Sequence, residues 1–178
     1  HISKSLKKLW RKKKFEFSIN HDCLSTISNC AHREETWINK SIISTYITLH
    51  DLGYAHSIEV WEDKKLKGGL YGVAIGKIFF AESMFSTSSN GSKLALIALM
   101  GTLALNQFLL LDVQFMTDHL RTMGAKEISR ALFLDLIKKS SSEKVQFNQY
   151  SSGIIDETLI NKAEMKSLVG ISKLKHQI

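Results

Sequence analysis

The sequence lacks every short motif that would identify a common enzyme class directly. It has no nucleophile elbow, Walker loop, zinc knuckle or His-Glu-x-x-His pattern, so it gives no support to the familiar hydrolases, nucleotide-binding proteins or zinc enzymes. Proline is absent from all 178 residues, and we have no physical explanation for this absence. We find no internal repeat. We expect no secretory signal, because no apolar segment follows the N-terminal lysines.

Cysteine is scarce as well. Only Cys23 and Cys30 are present. On a predicted helix they share one face but lie too far apart along the axis for a disulfide. We therefore expect reduced thiols in the core of a cytoplasmic protein.

The longest uncharged stretch, Leu94 to Leu111, just reaches the length of a membrane-spanning helix. Asn106 and Gln107 interrupt it, and Asp112 follows at once. These polar residues favour a buried helix at about 90–105 and a buried strand at about 108–115. We expect no association with a membrane.

Acidic residues are outnumbered, and the excess positive charge is concentrated near the N-terminus. The net charge is +7. The residues responsible are Lys4, Lys7, Lys8, Arg11, Lys12, Lys13 and Lys14. Such a segment favours binding to a polyanion, whose counterions it would release. The alternative is a solvated basic arm, and the segment shows no clear apolar face for a lipid surface.

The order of predicted elements indicates an α+β fold with a mostly antiparallel sheet and flanking helices. Two helices precede a hairpin, with strands at 55–61 and 66–74, and a further strand at 78–83. The long helix after this strand resembles the arrangement in GNAT-type acyltransferases, whose acyl carrier docks at that helix N-terminus. We place a GNAT-like domain at 1–139 and an extension of unknown role at 140–178. The chain begins at His1 rather than Met, so we expect it to be a fragment.

Two carboxylates interrupt apolar strands and are the strongest candidates for a functional site. Glu82 lies in Phe-Phe-Ala-Glu-Ser-Met-Phe and Asp112 in Leu-Leu-Leu-Asp-Val-Gln-Phe. A lone buried carboxylate is costly, so a chain tolerates it mainly for a reason. Gln114, two residues along the predicted strand, should face the same side as Asp112. The alternative is that each acid meets a structural Arg or Lys.

Five segments then resemble the leucyl/phenylalanyl-tRNA–protein transferases of bacteria. They are Leu49–Trp61, Gly68–Ala74, Glu82–Ser86 with Ser92 and Lys93, Asp112–Gln114, and His119-Leu120 with Met123–Ala125. The resemblance runs in order over about residues 1–138. Ser129 stands where members of the family usually have proline, and the family's N-terminal domain precedes the part matched here.

The resemblance implies an aminoacyltransferase that moves Leu or Phe, and less readily Met, from aminoacyl-tRNA to an N-terminal Arg or Lys. The product is marked for degradation. It implies that Gln114 holds the incoming amine, that Asp112 orients Gln114, and that Glu82 helps to hold the cationic acceptor residue. Met84, Leu70 and Leu99 would line the pocket for the transferred side chain.

The resemblance also implies how tRNA is held. Trp37 would stack on the terminal adenine, and Ser92 and Lys93 would receive the tRNA end. Phosphate contacts would come from the basic residues Lys7, Lys8, Arg11, Lys12, Lys13 and Lys14. No metal or cofactor is implied, because the aminoacyl ester is already activated, and we take the protein to be a cytoplasmic monomer.

Two other functions stay open on the sequence alone. A CoA-dependent N-acetyltransferase fits the fold analogy, although the loop at 87–92 lacks a Gly-rich pyrophosphate signature. A non-catalytic tRNA-binding module is the second.

Overall fold

The fold was analysed in a computed structural model that describes residues 4–11, 15–32, 36–140, 147 and 169–172. Its helices are α1 (Lys4–Arg11), α2 (Cys23–Ala31), α3 (Lys40–Asp51), α4 (Gly91–Leu105), α5 (Asp118–Thr122) and α6 (Arg130–Ser140). Its strands are β1 (Glu16–Ile19), β2 (Ala55–Glu62), β3 (Lys65–Ile75), β4 (Ile78–Ser86), β5 (Leu110–Asp112), β6 (Lys126–Ile128) and β7 (Val169–Ser172).

The strands form one mixed sheet in the order β1-β2-β3-β4-β5-β7-β6. Strands β1 to β4 are an antiparallel meander, and β5 joins β4 in parallel. The remaining two pairs, β5 with β7 and β7 with β6, are also parallel. Most of the paired length is antiparallel, which confirms the predicted α+β class. The GNAT-like assignment stays a prediction.

Each face of the sheet is covered by helices. Helix α4 is apolar on every side and is buried from Leu94 to Leu103, as expected of a helix enclosed by other elements. It packs on one face together with α1, whereas α2 and α3 cover the other face. The close approach of α4 to β3 requires glycine, because a Cβ on Gly68 would lie 2.5 Å from the Gly91 carbonyl carbon.

The hairpin between β2 and β3 turns through Asp63 and Lys64, whose φ angles are 51° and 58°. Positive φ at both central residues is the signature of a type I′ turn, whose twist suits the flanking strands. The predicted hairpin is confirmed, although neither residue is the glycine or asparagine that usually marks this turn.

Ser129, which stands at the position noted above, caps α6. Its Oγ accepts a hydrogen bond from Leu132 N at 3.2 Å.

Helix α1 differs from the solvated arm considered above. Leu6 is buried and Leu9 packs against the main core, so the helix has an apolar side that the sequence analysis did not identify.

Cys23 and Cys30 are free and buried on α2, as predicted. Among the described residues, no helix is long and apolar enough to cross a membrane.

Two described parts of the predicted extension belong to the same sheet and core. Strand β7 lies between β5 and β6, and Phe147 is buried against His56, Phe79 and Phe108. These contacts weigh against a separate unit after residue 139, although the division itself stays a prediction. Residues 141–146, 148–168 and 173–178 lie outside the described part of the chain.

His56 is buried and held neutral. Ser57 N donates to Asn20 Oδ1 at 3.0 Å, which fixes the amide so that its nitrogen faces His56 Nδ1, also at 3.0 Å. Nδ1 must therefore be the acceptor, as in the neutral ring. Phe147 stacks on the imidazole with ring centroids 4.1 Å apart. Burial, with a contribution from His50, lowers the pKa of His56 to about 4.

The neutral state of His56 predicts loss of stability in acid. In the unfolded chain His56 takes up a proton near its ordinary pKa of 6.5, whereas the folded protein resists protonation down to about 4. The contribution is therefore complete above pH 6.5 and is lost as the pH falls towards 4. Between pH 7.5 and 5, urea unfolding should show a decrease of about 2 kcal/mol from this group.

Replacement His56→Gln should remove that part of the decrease. The matched change at an exposed histidine, His32→Gln, should leave it intact. An equal acid loss in wild type and His56→Gln would show that other groups are responsible.

Candidate functional site

The site is built around a tight turn at the end of β5. Asp112 is the last residue of the strand, and its Oδ1 accepts a hydrogen bond from Gln114 N at 2.9 Å. Gln114 has a φ of 59°, in the left-handed region that is unfavourable for residues other than glycine. The predicted strand at 108–115 is therefore wrong in length, and Gln114 does not share a strand face with Asp112. The Asp112 carboxylate brings the two residues together instead.

The same turn separates β5 from β4. Their parallel pairing covers Ile78 to Phe80 and ends at Asp112, whereas β4 continues to Ser86. Gln114 Nε2 donates to Ala81 O at 3.1 Å, one residue beyond the last pair and next to Glu82. Because its amide nitrogen is used in this way, Gln114 Oε1 is left as an acceptor at the opening between the strands.

Glu82 occupies an irregular position in β4. Gly72 pairs with Ala81 and Tyr71 pairs with Ser83, so Glu82 is the extra residue of a β-bulge. Bulges of this kind redirect side chains and are frequent beside active sites. Burial, with the negative charge of Glu82, raises the pKa of Tyr46 on α3.

Neither carboxylate is neutralised by a cationic partner in the described part of the chain. Asp112 is only 6% exposed, and its removal from water raises its pKa, against the opposing effect of the hydrogen bond from Gln114 N. The alternative of a structural Arg or Lys at each acid therefore gains no support from the structure. Acidic groups of this kind, left unpaired beside an opening, are candidates for binding a cation.

A cavity of about 450 Å³ lies along the far end of β4. Its lining residues are Asn29, His32, Met84, Phe85, Ser86, Thr87 and Ser92. Four of them, Met84 to Thr87, are consecutive in the chain and three of these lie on β4. Because side chains alternate between faces in a strand, the cavity runs beside the strand edge rather than over one face.

The predicted aminoacyl pocket is brought together only in part. Leu70 pairs with Met84 across the β3–β4 ladder, and Met84 lines the cavity. Leu70 is 2% exposed and Leu99 is fully buried, both within the main core. Their assignment to a substrate pocket stays a prediction.

The N-terminus of α4 is less open than a simple anion site. Ser86 Oγ accepts a hydrogen bond from Ser92 N at 3.3 Å, so this first-turn amide already has a partner. Lys93 is half-buried, and His119 lies near it. Burial, with the positive charge of Lys93, lowers the pKa of His119.

Trp37 stands at the surface, 55% exposed. It precedes the buried Ile38 and the α3 N-cap Asn39, whose Oδ1 accepts from Ile42 N at 3.0 Å. These neighbours fix the backbone while the indole faces solvent.

Of the basic residues predicted to contact tRNA phosphates, Lys8 is exposed and Lys7 is half-buried on α1. The Arg11 side chain and residues Lys12, Lys13 and Lys14 lie outside what the structure describes.

Sequence reasoning missed two features, one near the site and one on the other side of the sheet meander. Tyr46 keeps the helical spacing of ordinary core residues, and nothing in the pattern distinguishes it. Glu59 is buried, as Asp112 is, and it accepts hydrogen bonds from Ser18 Oγ and Ser57 Oγ at 2.5 Å each. Two backbone amides before α2, His21 N and Asp22 N, lie 3.4 Å from the Glu59 carboxylate.

Within the described ranges, no group of three or more His, Cys, Asp or Glu side chains is arranged to hold a metal ion.

Comparison with known proteins gives a consistent family. A family model described as leucyl/phenylalanyl-tRNA protein transferase matches residues 1–138. A relative with that name from Dinoroseobacter shibae is 46% identical over 144 residues, which are 81% of this chain and 65% of the relative. Relatives of the same name from Maricaulis maris and Zymomonas mobilis are 44% and 49% identical, over 83% and 80% of this chain. The chain spans 54% to 70% of the length of these three relatives.

The left-handed backbone at Gln114 leads to a prediction about stability. Gln114→Gly and Gln114→Ala both remove the amide that bonds Ala81 O, but only glycine adopts a φ of 59° without cost. The glycine variant should be more stable than the alanine variant by roughly 1 kcal/mol. Urea unfolding of the two variants measures this difference directly. A more stable alanine variant would mean that the turn has another conformation in solution.

Proposed function

Because the chain belongs to the leucyl/phenylalanyl-tRNA protein transferase family, we propose that it transfers Leu or Phe from aminoacyl-tRNA to proteins. Met would be a poorer donor substrate. The acceptor is the α-amine of an N-terminal Arg or Lys. The observation that carries this proposal is the opening between β4 and β5, where Asp112 holds Gln114 N and the Gln114 amide bonds Ala81 O, the residue before Glu82. In the described chain neither carboxylate has a cationic partner.

The reaction needs little beyond positioning. The lone pair of the neutral α-amine attacks the ester carbonyl carbon, the C–N bond forms and the ester C–O bond breaks. The tRNA hydroxyl leaves with the proton that the amine loses. An α-amine has a pKa of about 7.7–8.0, so a useful fraction is neutral near pH 7. Holding the two reactants in line supplies much of the remaining rate enhancement.

Gln114 is proposed to hold the amine. Its Nε2 donates to Ala81 O, which leaves Oε1 to accept a hydrogen bond from the incoming N–H. A neutral amide is a poor base, so its role is to position the amine rather than to abstract the proton. Asp112 keeps the Gln114 backbone in place through the bond to Gln114 N, and its negative charge favours the positive charge that develops on the attacking nitrogen.

Glu82 is proposed to bind the acceptor side chain. A carboxylate beside a partly enclosed opening suits a guanidinium or ammonium group, with which it forms charge-assisted hydrogen bonds. This assignment explains why an acid stands in an otherwise apolar strand.

The cavity beside Met84 is proposed to receive the transferred side chain. Methionine adapts to several shapes, which suits a site that accepts Leu, Phe and Met. The exposed Trp37 would stack on the terminal adenine, and the basic face of α1 would contact phosphates without reading sequence. Aminoacyl-tRNA places the activity in the cytoplasm, and product proteins would be marked for degradation.

The sheet and the long helix after β4 support a GNAT-like origin for this site. The acetyltransferase alternative gains nothing from the geometry, because Ser92 N at the α4 N-terminus is already bonded to Ser86 Oγ. The proposal therefore rests on the opening between the strands rather than on the loop before α4.

Transfer should depend on Asp112 and Gln114 more than tRNA binding does. Asp112→Asn keeps an oxygen that can accept from Gln114 N but loses the charge, and Gln114→Ala loses the amide. Each should slow formation of Leu-peptide from leucyl-tRNA and an Arg-starting peptide by about a hundredfold or more. Equilibrium binding of tRNA should stay close to that of wild type. Absence of any Leu-peptide with the wild-type full-length protein would contradict the proposed function.

Trp37 should contribute to tRNA affinity through stacking. Trp37→Ala should weaken binding of leucyl-tRNA about tenfold at fixed salt, because one base–aromatic stack is worth about 1–3 kcal/mol. Trp37→Phe should retain most of the affinity. Leu52→Ala removes an apolar side chain that is 65% exposed at the C-cap of α3 and serves as the control. Equal losses in Trp37→Ala and Leu52→Ala would argue against a specific stack.

A further inference from the structure

The cavity beside β4 has one wall that is made by the end of α2. Asn29 lies in the last turn of this helix and His32 is its C-cap, and both side chains line the cavity. Met84 and Phe85 contribute apolar surface, and the junction of β4 and α4 contributes hydroxyl groups. A pocket for an apolar side chain alone does not need a polar wall, so this wall indicates a polar group on the ligand.

The hydrogen bonds of the α2 wall show which of its atoms remain for a ligand. Asn29 Nδ2 donates to Ser25 O at 2.8 Å, which fixes the amide and leaves Oδ1 as an acceptor. His32 Nδ1 lies 3.4 Å from Ser28 O. Because a carbonyl oxygen can only accept, Nδ1 carries the hydrogen in the neutral ring and Nε2 is the acceptor. Both side chains have thus used a donor and kept an acceptor.

The hydroxyl groups at the junction of β4 and α4 have also used their hydrogens. Ser86 Oγ donates to Ser88 O at 2.6 Å and accepts from Ser92 N at 3.3 Å. Thr87 Oγ1 donates to Lys67 O at 3.3 Å. These oxygens keep lone pairs, so the cavity is suited to a ligand that donates N–H bonds.

Charge favours a cation at the α2 wall. The last carbonyl groups of a helix carry partial negative charge, which stabilises a positive group within the last turn. Helix α2 ends at Ala31, and Asn29 lies inside that turn. Neither Lys nor Arg is among the described residues that line the cavity, so none of them supplies a positive charge that would repel such a ligand.

We propose that Asn29, with His32, recognises the free α-amine of the donor amino acid, so that the cavity rejects an acyl-tRNA whose α-amine is blocked or missing. This inference rests on the function proposed above. The α-amine is attached to Cα, which is bonded to the first carbon of the side chain. A side chain bound beside Met84 therefore brings the amine to the rim of the same cavity, where Asn29 Oδ1 can accept from it.

Recognition of this amine would limit the reaction to donors with a free N-terminus. The donor α-amine takes no part in bond formation and becomes the new N-terminus of the product. An acylated nitrogen has a single N–H and no positive charge, so N-formylmethionyl-tRNA and peptidyl-tRNA would lose these contacts. A side-chain pocket alone could not reject N-formylmethionyl-tRNA, because it carries the same side chain as methionyl-tRNA.

Transfer of two acyl groups from the same tRNA to an Arg-starting peptide tests this inference. The 4-methylpentanoyl group has the leucine side chain but no α-amine. In Asn29→Leu, the kcat/KM ratio of leucyl-tRNA to 4-methylpentanoyl-tRNA should fall by about tenfold, because only the leucyl group loses a hydrogen bond. Loss of the amine also changes the reactivity of the ester, but equally in wild type and variant. Contacts to the tRNA bases cancel from the ratio in the same way.

Two variants control for the lost bond between the Asn29 side chain and the helix backbone. Asn29→Asp keeps an acceptor oxygen but cannot donate to Ser25 O, and it should retain the preference for leucyl-tRNA. Asn106→Leu removes the equivalent bond at the end of α4, where Asn106 Nδ2 donates to Thr102 O at 2.8 Å, and it should leave the ratio unchanged.

Three results would overturn the inference. Equal losses for both donors in Asn29→Leu would show a merely structural role. An unchanged ratio in Asn29→Leu would show that its side chain does not contact the amine. A preference lost in Asn29→Asp would show that the bond to Ser25 O, rather than the acceptor oxygen, is responsible.

Binding of hydrolysis-stable analogues separates this inference from the proposed function. The probes are the leucyl and 4-methylpentanoyl amides of 3′-amino-3′-deoxyadenosine, measured by calorimetry. Tighter binding of the leucyl amide by wild type, lost in Asn29→Leu, supports the inference even if no transfer is detected. Active transfer combined with equal binding of the two amides by wild type overturns it and leaves the proposed function intact. Binding of neither amide overturns it as well.

Discussion

The hydrogen bond from Gln114 N to Asp112 Oδ1 is the interaction on which the candidate site depends. It ends β5 after three residues, forces Gln114 into the left-handed region, and turns the chain away from β4. A longer β5 could have continued to pair with β4 beyond Phe80, and no opening would then separate the two strands. The carboxylate that we propose polarises the site is thus also the group that ends the strand, which explains why an acid is tolerated at the end of an apolar strand.

Several unfavourable features are concentrated within this region, and well-packed elements around it hold them in place. A desolvated carboxylate ends β5, a non-glycine residue at positive φ follows it, and a β-bulge lies on the adjacent strand β4. Beneath them α4 is buried along almost its entire length. On the other face, Glu59 joins β1, β2 and the start of α2 through Ser18, Ser57 and two backbone amides. Local strain persists only where the surroundings fix it in this way.

The sequence was sufficient for the elements whose pattern is unambiguous. The uniformly apolar helix, the hairpin and the burial of Asp112 could be predicted, because burial of apolar residues sets periodicity and a lone acid breaks it. Glu82, which was expected to be buried as well, is only partly buried. The relation between Asp112 and Gln114 could not, since a single side chain-to-backbone bond overrides the alternation of a strand. The bulge at Glu82 depends on strand register, and the packing of Tyr46 on Tyr71 depends on helix placement. Tyr46 carries no local signal that separates it from a core residue.

The position of β7 has a consequence for how the protein is made. Strand β5 is flanked on one side by β4 and on the other by β7, which is formed by residues 169–172, more than fifty residues later in the sequence. During translation β5 remains an edge strand until residues 169–172 leave the ribosome, and Phe147 must also emerge before the core beside His56 is filled. A product truncated by a premature stop codon would expose an unpaired apolar edge. Such fragments would therefore be aggregation-prone chains and substrates for chaperones and proteases.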